Sequence, residues 1–118
     1  MYTKIRGSMR DATKAARAIR YGDYYYGGGK AYGDIPANYR IEPVSLTSDD
    51  DGRTLKDIDG SVTGKYHVYS YHAHIATLDT LNGTFSVNPT YARGYSVSTT
   101  AHASCAHAVA RTLNLREI

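Results

Sequence analysis

The sequence predicts an α+β fold: an antiparallel sheet of three to five strands packed against a C-terminal helix, with an N-terminal helix. Three observations carry this reading. Residues 66–77 alternate and are rich in aromatic and β-branched side chains, which suit a pleated, half-buried surface. Asn82-Gly83 is a turn signal, because both residues tolerate positive φ, and residues 83–87 then run back. Near the C-terminus His102, Cys105, Ala106, Val109, Thr112 and Leu113 fall on one helical stripe, which should lie on the sheet. Ser104, His107 and Arg111 should point away from it.

The hairpin has two possible registers. A tight turn at Asn82-Gly83 pairs Leu78 with Val87 and puts Ile75 and Phe85 on opposite faces. A longer loop over 79–83 pairs Ile75 with Val87, Thr77 with Phe85 and Tyr71 with Tyr91. It gathers Tyr69, Tyr71, Ala73, Ile75, Phe85 and Val87 on one face. A slip of one residue reverses every side chain, so burial favours the second register. Tyr95, Val97 and Thr99 alternate as a further strand over 95–99, and Thr99 or Thr100 can cap the closing helix.

At this point the residues resemble a known pattern. Ser70-Tyr71-x-x-x-Ile75-Ala76-Thr77 and Tyr95-Ser96-x-Ser98-Thr99-Thr100-x-His102 are similar to a small uncharacterised domain found in short proteins of phages and mobile elements. The resemblance covers about the last half of the chain. His72 and His74 depart from the pattern, standing where smaller or turn-like residues are usual. The resemblance implies a phage-type accessory protein and transfers no catalytic residues.

The remaining elements follow in chain order. Residues 1–6 are a short strand or a loose arm. Ser8-x-x-Asp11 fits a capping pair, and the helix is expected over 9–21 with Met9, Ala12, Ala16 and Ile19 as a thin apolar stripe. Arg10, Lys14 and Arg17 fall in one arc of that helix. Three cations on one arc can track phosphates, although such rows are more often solvated faces.

Residues 22–36 form the most biased segment and are expected to be a Tyr/Gly-rich loop. Tyr24, Tyr25, Tyr26 and Tyr32 supply rings there and Lys30 a cation. Three uses stay open: stacking of bases, a flap over the core, and a protein-binding loop. The triple glycine follows no predicted strand and opens no helix, which argues against a phosphate loop. Residues 39–46 read as a strand whose Pro43 should lie at a sheet edge. The Asp-Gly turns at 49–52 and 57–60 lack the spacing and closing glutamate of a calcium loop.

Length and composition set the outer bounds. At 118 residues the chain is expected to be a single domain, residues 1–118, with 65–115 as its hairpin–strand–helix core. The net charge of +3 is compatible with an acidic partner without requiring one. The single cysteine, Cys105, has no partner within the chain and sits on the inward stripe, which suits a reducing cytoplasm. The N-terminus lacks a signal-peptide core and no apolar run approaches a membrane span, so no membrane partner is expected. If phage-encoded, the protein should act in the host cytoplasm. Tyrosine dominates the aromatics, with Tyr 12, Phe 1 and Trp 0, and it suits half-wet contact surfaces.

Histidines and Cys105 raise the question of metal. His72 and His74 share a strand face, and His102 and Cys105 share a helix face, but the favoured register sends the two pairs apart. No metal and no cofactor are therefore expected, and no catalytic residue is assigned. His102 is expected to be a satisfied histidine bonded to a Thr or Tyr hydroxyl or to backbone. The functional expectation is a non-enzymatic interaction module. It contacts nucleic acid through Arg10, Lys14, Arg17, Tyr24, Tyr25, Tyr26 and Lys30, or it binds a host bacterial protein. A metal- or thiol-dependent enzyme is the third reading. The oligomeric state is not legible.

Overall fold

A computed structural model describes residues 4–27, 38–47, 56, 60–92 and 97–118. Strands β1 (Lys4–Arg6), β2 (Tyr24–Gly27), β3 (Tyr39–Leu46), β4 (Gly64–Ser70), β5 (Ala73–Asp79), β6 (Thr84–Val87) and β7 (Arg116–Glu117) form one sheet in the order of the chain. Helix α1 (Ala12–Arg20) joins β1 to β2, and α2 (Pro89–Ala92) and α3 (Val97–Thr112) lie between β6 and β7. The class is α+β, as expected. The expected sheet of three to five antiparallel strands is corrected to seven strands in a mixed sheet: β1–β2 and β6–β7 are parallel and every other pairing is antiparallel.

This topology fixes which face is covered. The parallel pairs at the two ends each need a crossover, and here the crossovers are helices. Both step in the same direction across the sheet, between strands of the same orientation. Crossovers of the usual right hand then place both helices on the same face. The core agrees, because Ala15, Ala18 and Ile19 of α1 and Ala103, Ala106, Val109 and Ala110 of α3 share one buried cluster with Tyr25, Ile41, Tyr66, Val68, Leu78 and Phe85. Small residues on both helices let them lie close to the sheet and to each other.

The central hairpin differs from its predicted form. Residues 66–77 are not one strand. The chain reverses at Tyr71-His72, where Tyr71 has φ 57°, and Ser70 pairs with Ala73. Past that turn, Leu78 pairs with Phe85 and Ala76 with Val87, one residue out of the expected register. The slip is resolved by a bulge: Val68 pairs with Ala76 and Tyr69 with His74, so Ile75 is the extra residue. The bulge lets Ile75, Ala76 and Leu78 all be buried. Tyr69, expected on the core face, lies on the other one.

Four further expectations change. Residues 97–99 begin α3 rather than ending a strand; Tyr95 and Ser96 lie outside the described residues. Pro43 is on an interior strand, not at an edge, and sits where the β3–β4 register shifts, so its missing donor breaks no regular ladder. Helix α1 begins at Ala12, with Asp11 as its cap accepting from the Lys14 amide at 3.0 Å. Tyr24–Gly27, expected within a loop, is a strand, because its tyrosines alternate between half-buried and buried.

The α3 stripe is as expected at His102, Cys105, Ala106 and Val109, all buried, while Ser104 and Arg111 are exposed. His107 is corrected: it is half-buried and meets Phe85 edge-on, with centroids 5.3 Å apart. The resemblance motifs meet in space at the start of α3. Ser70 Oγ lies 2.6 Å from His102 Nδ1 and 3.1 Å from Thr99 Oγ1, all three residues being buried. His102 thus finds a serine hydroxyl as partner, and the trio ties the Tyr71 turn to the helix.

Candidate nucleic-acid interface

Alternation along the strands decides what the uncovered face presents. In β2 the middle tyrosine, Tyr25, points into the core, and its hydroxyl donates to the Ser8 carbonyl. Burial first, then the nearby Asp11 carboxylate, pushes its pKa up to about 12. Tyr24 and Tyr26 therefore point the other way, with their rings edge to face at 6.1 Å. On β3 the same logic puts Tyr39 and Ile41 inside and Arg40 and Glu42 outside. On β4 it puts Tyr66 and Val68 inside and Lys65, His67 and Tyr69 outside.

The register then assembles these side chains into rows. Arg6 pairs with Tyr26, Tyr26 with Arg40, Arg40 with Tyr69 and Tyr69 with His74. Cation and ring alternate across four strands. The Arg6 guanidinium lies 5.9 Å from the Tyr26 ring centroid and Lys Nζ of Lys4 6.0 Å from it. Arg40 lies 4.7 Å from the Tyr69 centroid. These are cation–π distances. Arg40 is also held by Glu42 at 2.8 Å and by the Tyr71 carbonyl at 2.9 Å, so its orientation is fixed.

Two histidines complete the face. His67 and His74 stack at 3.9 Å with planes 25° apart. His67 Nδ1 meets the Tyr69 hydroxyl at 3.2 Å. Burial, then His74, lowers the His67 pKa, so the His67 ring favours its neutral form. On β1 to β5 the described face carries Lys4, Arg6, Arg40 and Lys65 against two carboxylates, Glu42 beside Arg40 and Asp79 opposite Lys65. Among the described residues no helix covers this face.

The structure divides the residues that the sequence nominates. Tyr24 and Tyr26 lie on the open face. Tyr25 is fully buried and cannot touch a partner. Lys14 and Arg17 are exposed on α1 and Arg10 just before it, all on the helical side, across the sheet from the tyrosines. Lys30 lies outside the described residues, as do Tyr32, the triple-glycine residues Gly28 and Gly29, and residues 49–52. Arg40, Tyr69, His67 and His74 were not nominated. For Arg40, His67 and Tyr69 the signal was the outward phase of two alternating strands, legible once the inward phase is assigned to Tyr39/Ile41 and Tyr66/Val68; His74 lies on β5, where the bulge at Ile75 breaks the alternation.

Other chemistry is poorly supported. Among the described residues no three His, Cys, Asp or Glu side chains gather as a metal site. His74 is on the open face, His102 and Cys105 are in the core, and His72 is exposed at a turn. Burial raises the Cys105 thiol pKa, the opposite of what a nucleophile needs. Ser70 and His102 hydrogen-bond, but both are buried beneath the Tyr71 turn, and burial keeps the imidazole neutral. No described helix is long and apolar enough to cross a membrane. No family model, curated protein or solved structure matches the chain.

Proposed function

We propose that this protein binds single-stranded nucleic acid on the open face of its sheet. The observation that carries the reading is the alternating row Arg6–Tyr26–Arg40–Tyr69, on a face that no described helix covers. Rings to stack bases, with cations between them to meet phosphates, are the two parts of sequence-tolerant single-strand binding. Strands are about 4.8 Å apart, so Tyr26 to His74 spans roughly 14 Å. That is enough for two or three bases, the number that an aromatic sheet face accommodates in known RNA-binding modules. A rigid sheet also presents its rings with little entropy left to lose.

Fluorescence anisotropy with labelled oligonucleotides at low salt tests the reading. Tyr26→Ala and Tyr69→Ala should each weaken single-strand binding by about 1–3 kcal/mol. Arg6→Ala should lower the salt slope by about 0.7. Arg17→Ala, on the helical side, should change neither. Absence of binding to any oligonucleotide at tens of micromolar protein would overturn the proposal.

A second reading is favoured by one observation. The Arg40–Glu42 pair in the middle of the row offers a half-buried arginine among tyrosines, the composition of a protein hot spot. On this reading the partner is a host bacterial protein, and capture from lysate survives nuclease and moderate salt. The motif resemblance supplies the setting for either case: an accessory protein of a phage or mobile element acting in the host cytoplasm.

A further inference from the structure

Beyond His74 the open face deepens into a hollow of about 320 Å³ at the end of β5 and β6. Its polar wall is His74, Thr77, Ser86 and Asn88, and Pro89 and Ile118 supply apolar surface. Thr77 and Ser86 are cross-strand partners on the open face, and His67 pairs with Thr77 from the other side. The hollow is thus continuous with the row of rings, one strand beyond its end. Its size is at the lower end for small-molecule sites, which suits one flat heterocycle rather than a larger ligand.

The hydrogen bonds around it fix which groups remain to be used. His74 Nε2 lies 3.0 Å from the Ala76 carbonyl oxygen. A carbonyl only accepts, so Nε2 carries the proton. The same nitrogen lies 3.0 Å from Thr77 Oγ1, which therefore accepts from it and keeps its own proton to donate. Asn88 Oδ1 accepts from the Thr90 amide at 3.1 Å, which turns the Asn88 amide nitrogen the other way. That nitrogen reaches the His74 carbonyl only at 3.5 Å, leaving a second N–H to offer. The hollow therefore presents at least two donors, Thr77 O–H and Asn88 N–H, with Ser86 able to act either way.

We propose that this hollow selects a keto-pyrimidine base, uracil or thymine, from the bound single strand; this rests on the reading of the face given above. Both bases carry two ring carbonyls, at positions 2 and 4, that accept. Cytosine replaces the second with an amino donor, which would face the donors of Thr77 and Asn88. Cytosine still accepts at its position-2 carbonyl and at N3, so the discrimination falls on the donor set against position 4, which cytosine alone leaves unpaired.

The test compares oligothymidylate or oligouridylate with oligocytidylate of equal length by anisotropy, because these pyrimidine strands share size and backbone charge. The wild type should bind the keto strand about tenfold more tightly, the effect of one good base-edge contact set. Thr77→Val, which keeps the shape and loses the hydroxyl, should bring the two within about threefold by weakening the keto strand more than oligocytidylate. Asn88→Ala, which removes the other donor, provides a second test should Thr77→Val disturb the His74 contact. Equal wild-type affinity for both strands, or a loss on Thr77→Val that is the same for both, overturns the base pocket and leaves the face intact. No binding to either strand overturns the face and the pocket together.

Discussion

Acidification should destabilise the fold, and His102 should account for about one proton of that effect. The side chain is 3% exposed, its Nδ1 is 2.6 Å from Ser70 Oγ, and the Tyr39 and Tyr71 rings flank it at 5.4 and 6.0 Å. Burial lowers its pKa below the ordinary 6.5. In the unfolded chain the imidazole titrates near its ordinary value, so below that pH the unfolded state binds the extra proton. The stability owed to the neutral ring is complete above about pH 6.5 and is lost as the pH falls through that value toward the folded pKa. The slope for one group is at most about 1.4 kcal/mol per pH unit, so going from pH 7.5 to 5.5 should remove about 1 kcal/mol. His67 shifts in the same direction, but it is only half-buried, so its share is smaller. Urea unfolding at pH 7.5, 6.5 and 5.5 reads the slope directly. His102→Gln will be less stable at every pH, but its slope should be shallower by close to one proton. A variant slope equal to that of the wild type would refute the reasoning.

Two further outcomes test the core. Val109 is fully buried on α3, so Val109→Ala should lower stability by about 2 kcal/mol in thermal or urea unfolding, whereas exposed Arg111→Ala should stay within about 0.5 kcal/mol. The Tyr39 hydroxyl is buried and has no hydrogen-bond partner among the described residues, so Tyr39→Phe should leave stability unchanged or raise it by about 1 kcal/mol, read as a higher melting temperature.

Much of the fold was written in local pattern. The bounds of β3, the return strand β6 and the buried stripe of α3 all follow from periodicity, because each element buries one regular face. What local pattern could not supply was turn chemistry. The reversal at Tyr71-His72 contains no Gly, Pro, Asn or Asp, and Tyr71 takes a positive φ that tyrosine rarely adopts, so the stretch read as one long strand. The bulge at Ile75 then shifted the register by one residue, a change that alternation alone cannot reveal. The Val97-Ser98-Thr99 run has strand propensity, but packing of α3 against the sheet overrides it. The tyrosine triplet adjoins a triple glycine that signals a loop, and this masks its place in β2. The candidate face was illegible for a further reason: Arg6, Tyr26, Arg40 and Tyr69 are neighbours only across strands.

The sheet order carries one more consequence. A sheet that follows the chain strand by strand ends on its two shortest members: β1 has three residues and β7 two. Over the described residues an edge this short offers another backbone scarcely more than one pair of hydrogen bonds, a poor template for strand addition or for growth into fibrils. A partner recruited by an added strand, one recurring way a sheet captures a peptide, finds little to hold along these described edges. On the proposed reading recognition falls to the broad side, where side chains rather than backbone set the terms and a change of sequence can retune specificity without touching the ladder beneath.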